Sequence, residues 1–208
     1  MTVRMAAVLA RPDDPSITPP GVDPARYTEA MLEDVFELLD RLAQVEAAIA
    51  APPSLVESSA KAGWPSTPVV AVPRTAAGVP VEIGVLADLG RLGADEAAVV
   101  AADAPDLPGL LVAKLFSGLS SAGVAVCPAE GGGLVAMACR LPVPGWFADS
   151  RVGLDDADAL DRLRSSAPAA GALVVGPGWR RLRAPEDIAR LDPGLEGWEA
   201  TRALLSGR

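Results

Sequence analysis

Short runs of consecutive apolar residues recur along this chain without the in–out alternation of a half-solvated strand, and between them apolar residues fall three and four apart. Runs of the first kind suit strands buried on both faces of a parallel sheet; spacing of the second kind suits helices packed against it. Strands are predicted at 3–10, 45–51, 69–72, 97–102, 123–127, 134–140 and 172–175. The clearest helix starts after Asp23, an N-cap residue followed by Pro24 at the first helical position, and carries Tyr27, Met31, Val35, Leu38, Leu39 and Leu42 on one stripe. Further helices are predicted at 55–62, at 83–92, and from Pro108 with Leu111, Val112, Leu115, Phe116 and Leu119 as its apolar face. Others follow at 156–165, 185–191 and 195–205, and the chain breaks at Gly78–Pro80. Strands alternating with helices predict an α/β fold, a three-layer α/β/α sandwich with a mainly parallel sheet, in one domain over 1–208 with 193–208 as a helical tail. The segments 3–10, 69–72, 97–102 and 123–127 are expected to share that sheet. The apolar stripe of the tail, from Leu195 to Leu205, is expected to pack either on the domain or on a second copy in a homodimer.

Composition narrows the picture. Half of the 208 residues are apolar, yet no uninterrupted apolar run reaches the ~18 residues of a membrane helix. The apolar stretch near the N-terminus ends at Pro12, Asp13 and Asp14, too early for a signal peptide, so a soluble, cytoplasmic protein is expected. A net charge of −9 argues against general nucleic-acid binding, which relies on dense Lys and Arg, and favours a small ligand. With no histidine in the chain, Cys127 and Cys139 read as reduced core residues rather than zinc ligands. Nine of the sixteen arginines fall in 151–208.

The candidate chemistry starts where the run 97–102 ends in Asp103-Ala104-Pro105-Asp106-Leu107-Pro108. Ligands of open α/β sheets gather beyond the carboxyl ends of strands, which is where Asp103 is expected. The local sequence equally suits a turn in which Asp103 and Asp106 cap the helix at Pro108. Glu130 with Gly131, Gly132 and Gly133 suits either an anion-binding nest of backbone amides or a hairpin between two strands.

Three motifs occur in order: the strand ending in Asp-x-Pro-Asp-Leu-Pro, the strand leading to Pro128-Ala129 and a glycine run, and Trp179 followed by Pro185-Glu186-Asp187. Together they resemble the bacterial glycosyltransferase A-type family of unknown function that is related to 2-phospholactate guanylyltransferases and other nucleotidyltransferases. The resemblance runs from Val3 to about Leu191 and implies a nucleotide or nucleotide-sugar substrate, a glycine-rich phosphate loop with Lys-Thr-Arg-Leu, and a divalent Mg²⁺ or Mn²⁺ held by acidic residues. Asp103 falls on the family's strand-tip acid, and Asp106, Leu107 and Pro108 match beside it. The departures are specific: Gly131 stands where the family has Asp, Arg181 and Arg183 stand at two further Asp positions, Ala184 replaces a Thr, and Arg11-Pro12 leads into a loop without Lys-Thr-Arg-Leu.

Hard cations need oxygen ligands, and of the matched acids only Asp103 is left, with Glu130 one position from another. Two guanidinium groups ~4 Å from a dication would oppose it by a few kcal/mol at an effective dielectric near 20. No divalent ion is therefore expected on protein carboxylates alone at Asp103. Extended backbone would point Arg181 and Arg183 the same way with Leu182 toward the core, so the two are expected to receive a phosphorylated ligand together, and their joint removal to abolish binding while sparing the fold. The residues leave three readings open: a transferase in which Arg180, Arg181 or Arg183 takes over charge neutralisation from the metal, a catalytically silent relative that keeps the fold as a binding or assembly module for a small anionic ligand or a partner, and an arginine cluster that merely pairs with Glu186, Asp187 and Asp192 on a solvated face.

Overall fold

The computed structural model describes residues 2–72 and 79–207; Gly78, part of the predicted chain break, lies outside the described residues. The strands are β1 (Arg4–Leu9), β2 (Glu46–Ala51), β3 (Val69–Ala71), β4 (Glu96–Ala101), β5 (Val124–Pro128), β6 (Leu134–Arg140) and β7 (Leu173–Val175). They form one seven-stranded sheet in the order β3-β2-β1-β4-β6-β5-β7. Every neighbouring pair is parallel except those of β6, which runs antiparallel to both β4 and β5. The α/β class and the mainly parallel sheet are as expected; the reversed strand was not distinguished. Its direction follows from the short link 129–133, since a parallel crossover needs a dozen residues or more. Gly131, Gly132 and Gly133 turn that hairpin, all at positive φ (83°, 107° and 78°), where a side chain would strain the backbone.

Around the sheet lie α1 (Pro24–Asp40), α2 (Val56–Ser59), α3 (Val81–Arg91), α4 (Gly109–Gly118), α5 (Gly145–Ser150), α6 (Ala159–Ser166) and α7 (Glu199–Ser206). Helix α1 begins as its sequence dictates: Asp23 accepts from the Arg26 N–H at 3.0 Å and Pro24 follows. On one face of the sheet Leu32, Val35 and Phe36 of α1 and Val112 and Leu115 of α4 meet Ala98 and Val100 of β4. On the other, Leu86 and Leu89 of α3, Phe147 of α5 and Leu163 of α6 meet Ala97 and Val99. Strand β4 is buried on both sides, which accounts for its unbroken apolar run, and each of its valines contributes roughly 1.5–3 kcal/mol by burial.

Several helix boundaries depart from the periodicity. The stretch 55–62 is one α turn continued as a 3₁₀ turn at Ala60–Ala62, and 185–191 is 3₁₀ helix over Pro185–Arg190. The helix expected from 156 starts at Ala159, and the short α5 carried too few residues to show a period. Ahead of Pro185, Asp187 reaches back to accept from the N–H groups of Arg183 (2.8 Å) and Ala184 (3.0 Å), so the hydroxyl missing at Ala184 is offset by the reciprocal half of a capping box.

The tail forms helix only from Glu199, where its first amides find an acceptor: the buried Asp34 of α1 accepts from the N–H groups of Ala200 and Thr201, each at 2.9 Å. The apolar stripe of the tail packs on its own chain. Trp198, Leu195, Leu204 and Leu205 join Tyr27, Met31, Leu182 and Leu191 in one cluster. Cys127 and Cys139 are free and buried, and burial pushes both thiols up to about 12. Among the described residues no helix is long and apolar enough to cross a membrane.

Candidate functional site

Three segments converge at the carboxyl edge of the sheet: the tip of β4 at Asp103 and Asp106, Arg11 just past β1, and an extended stretch from Trp179 to Arg183. That stretch is held by backbone bonds, with Trp179 bridged to Ala129 beyond β5 and Leu182 N–H donating to Asp103 O at 2.7 Å. Its side chains therefore alternate. Leu182 enters the cluster under α1 and α7, and Arg181 and Arg183 lie on the opposite side, over the sheet edge.

Arg181 is the most constrained of these side chains, only 4% exposed. Its Nε donates to Asp103 Oδ1 at 2.6 Å and its Nη2 to Asp103 Oδ2 at 2.9 Å, a two-pronged pair. Its Nη1 donates to the carbonyls of Leu134 (2.9 Å) and Leu154 (3.1 Å), and Nη2 lies 2.9 Å from Asp155 Oδ1. All five donors of the guanidinium are thus used within the protein. Burial works against its charge, but Asp103 and then Asp155 more than restore it and hold the group above its ordinary value. Arg11 closes the ring, donating through Nη1 to Asp103 Oδ2 at 2.9 Å and through Nη2 to Asp155. For Asp155, partial burial is outweighed by Arg181 and Arg11, which lower its carboxyl below the usual value.

Two carboxylates and two guanidinium groups therefore balance, and Arg183 is the cation left over. Its Nη1 donates to Gly132 O at 2.8 Å, while Nη2 is buried with no hydrogen-bond acceptor among the described residues and lies 3.7 Å from Asp155 Oδ1. Burial, with repulsion from Arg181, lowers its proton affinity below that of a free arginine. Gly133 makes room for this side chain: a Cβ there would sit 2.9 Å from Arg183 Nη2 and 2.6 Å from Leu154 O. The amides of Gly132 and Gly133 point to the carbonyls of Ala129 (3.2 Å) and Ala157 (3.4 Å). Glu130 lies at the surface against Arg190.

Asp106 is satisfied separately. It accepts from Trp179 Nε1 at 3.0 Å and from Arg180 Nε at 2.9 Å, and Arg180 stacks on Trp179 with its guanidinium carbon 4.5 Å from the ring centre. Neither aspartate caps α4, whose N-cap is Pro108 with no side-chain bond. A cavity of about 490 Å³ opens beside the ring, lined by Arg11, Asp103, Asp155 and Arg183 and by Asp13 and Asp14 of the loop after β1. Ile17, Thr28 and Met31 add to its wall.

The residues present do not suit a divalent ion at Asp103, because both carboxylate oxygens already accept from guanidinium N–H groups. Among the described residues no group of three or more acidic, Cys or His side chains is placed to hold a metal. Sequence reasoning singled out Asp103, Arg181 and Arg183 but missed Asp155, which no motif marks, and the part played by Arg11, whose position just after the first strand was the available signal.

No protein-family model and no curated protein matches the sequence. Solved structures do match, and they define the class: this is the nucleotide-diphospho-sugar transferase-like α/β fold. A protein from Desulfovibrio desulfuricans G20 assigned as a nucleotide-diphospho-sugar transferase superposes with a TM-score of 0.74 at 16% identity, over 100% of this chain and 98% of that one. A CMP:2-keto-3-deoxy-manno-octonic acid synthetase complexed with CTP gives 0.58 at 12% identity, over 99% and 98% of the two chains. The Mycobacterium tuberculosis H37Rv protein Rv0371C, in complex with manganese, gives 0.56 at 16% identity over the same shares.

Proposed function

We propose that this protein is a degenerate relative of the glycosyltransferase A-type and nucleotidyltransferase proteins that binds a small anionic ligand, a nucleotide or phosphorylated metabolite, without a divalent ion held by its own carboxylates. The observation that carries the reading is the placement of Arg181. Its guanidinium occupies both oxygens of the strand-tip Asp103, the residue from which a metal would have to be held, and leaves Arg183 as the unbalanced cation beside a ligand-sized cavity. Arg183 with the spare donors of Arg11 then neutralises the ligand's charge, and the transferase chemistry of the fold is lost or altered.

A thermal-shift panel tests this with nucleoside triphosphates, nucleotide sugars and phosphorylated acids, each with and without Mg²⁺ or Mn²⁺. At least one phosphorylated compound should raise the melting temperature, equally well without metal, since a ligand at 100 times its Kd adds about 2.7 kcal/mol of stability. Arg183→Met should abolish that shift. A shift that requires metal, or nucleotidyl transfer detected in the same mixtures, would favour an active metal-dependent transferase instead.

A further inference from the structure

The cavity is not uniformly basic. Arg183 and Arg11 line it, and the loop after β1 adds Asp13 and Asp14 to the same lining. Counting Arg181 behind it, four carboxylates face three guanidinium groups. Asp14 is anchored, accepting from Ser16 N–H at 2.8 Å and Ser16 Oγ at 2.6 Å, bonds that keep its carboxyl ionised. Asp13 is exposed and makes no hydrogen bond or ion pair among the described residues. It also lines a second, smaller cavity of about 230 Å³ that shares Arg11 and Thr28 with the first. An unbalanced cation and an unpaired carboxylate lining one cavity are the two halves of one recognition pattern.

Building on the anion-binding reading above, we infer that the cavity takes a zwitterionic ligand, with a phosphate or carboxylate at Arg183 and a protonated amine at Asp13. A polyphosphate is the poorer fit: with no metal to mask its charge it must pass Asp13 and Asp14, and like charges across a binding surface select against the wrong partner. A compact amino-phosphate meets an opposite charge at each end.

The test compares O-phosphoethanolamine with n-propyl phosphate, which has the same length and phosphate but a methyl in place of the ammonium, by titration calorimetry on the full chain without added metal. O-Phosphoethanolamine should bind at least about tenfold more tightly, or 1.4 kcal/mol. Asp13→Asn, at an exposed loop position where folding is not at stake, should close the gap by weakening the amine and tightening the propyl ester. Equal affinities in the native protein, or tighter binding of n-propyl phosphate, would overturn the zwitterion inference while leaving the anion site standing. If neither compound binds, the zwitterion inference falls and the anion site is judged by the thermal-shift panel alone; if both survive Arg183→Met, the anion site falls and this inference with it.

Discussion

Burying a guanidinium is costly unless its donors are met, and Arg181 meets all of its own with two carboxylates and two carbonyls. Arg181→Ala removes the two-pronged partner of a 2%-exposed aspartate and should destabilise the protein by about 3–5 kcal/mol in denaturant unfolding. Arg181→Lys should recover little of that loss, because a compact ammonium cannot fork across both oxygens. The expectation that Arg181 and Arg183 act together on a ligand is therefore narrowed: the donors of Arg181 are spent within the protein, and the ligand role is proposed for Arg183. Gly133→Ala should weaken ligand binding as well as stability, since its Cβ would collide with Arg183 and Leu154 and its backbone sits at positive φ. At Asp103, calorimetric titration with Mn²⁺ should show no micromolar binding; binding lost in Asp103→Ala would overturn the assignment of its oxygens to arginine.

At the scale of elements, the C-terminal helix is held by a long-range cap. Burial raises the Asp34 carboxyl to about 6, although its bonds from Thr201 and Ala200 pull the other way. A group whose folded value lies above its ordinary 3.8 contributes stability that is complete below about 3.8 and is lost as pH rises through about 6. The Asp34-dependent part of the stability should thus grow by on the order of 2–3 kcal/mol as pH falls from 7.5 to 4, and Asp34→Asn should flatten that part of the curve. Asp155, with its value lowered, acts in the opposite sense and below that window, losing its contribution only as pH drops under 3.8. The tail helix lines Leu182 between the two site arginines, so hydrogen exchange in α7 should follow the same pH dependence.

Over the whole molecule, Arg180 and Arg181 meet the acids at the sheet edge rather than solvent, so that the charges of Asp106 and Asp103 are answered from within a chain of net charge −9. Because that balance is internal, exhaustive treatment with a chelator should leave the melting temperature unchanged, and restoring Mg²⁺ should not raise it. A drop of several degrees on chelation would mean that a metal is part of the native fold.

The seven strands, every helix but the short α5, the buried run of β4 and the position of Asp103 at its tip were legible in the sequence, because they rest on local periodicity and on apolar runs that only a doubly covered strand tolerates. The direction of β6 was legible in principle from the length of the glycine link. What only the tertiary structure decided was the pairing of charges. Arg181 could have reached a ligand, solvent or Asp103, and nothing within its own segment distinguishes these. Asp155 and Arg11 become its neighbours only when the loops after β1 and before α6 close over the sheet edge. Which of the two arginines flanking Leu182 is spent within the protein depends on contacts between residues far apart in sequence and in no shared motif, such as Arg11 and Asp155, 144 positions apart.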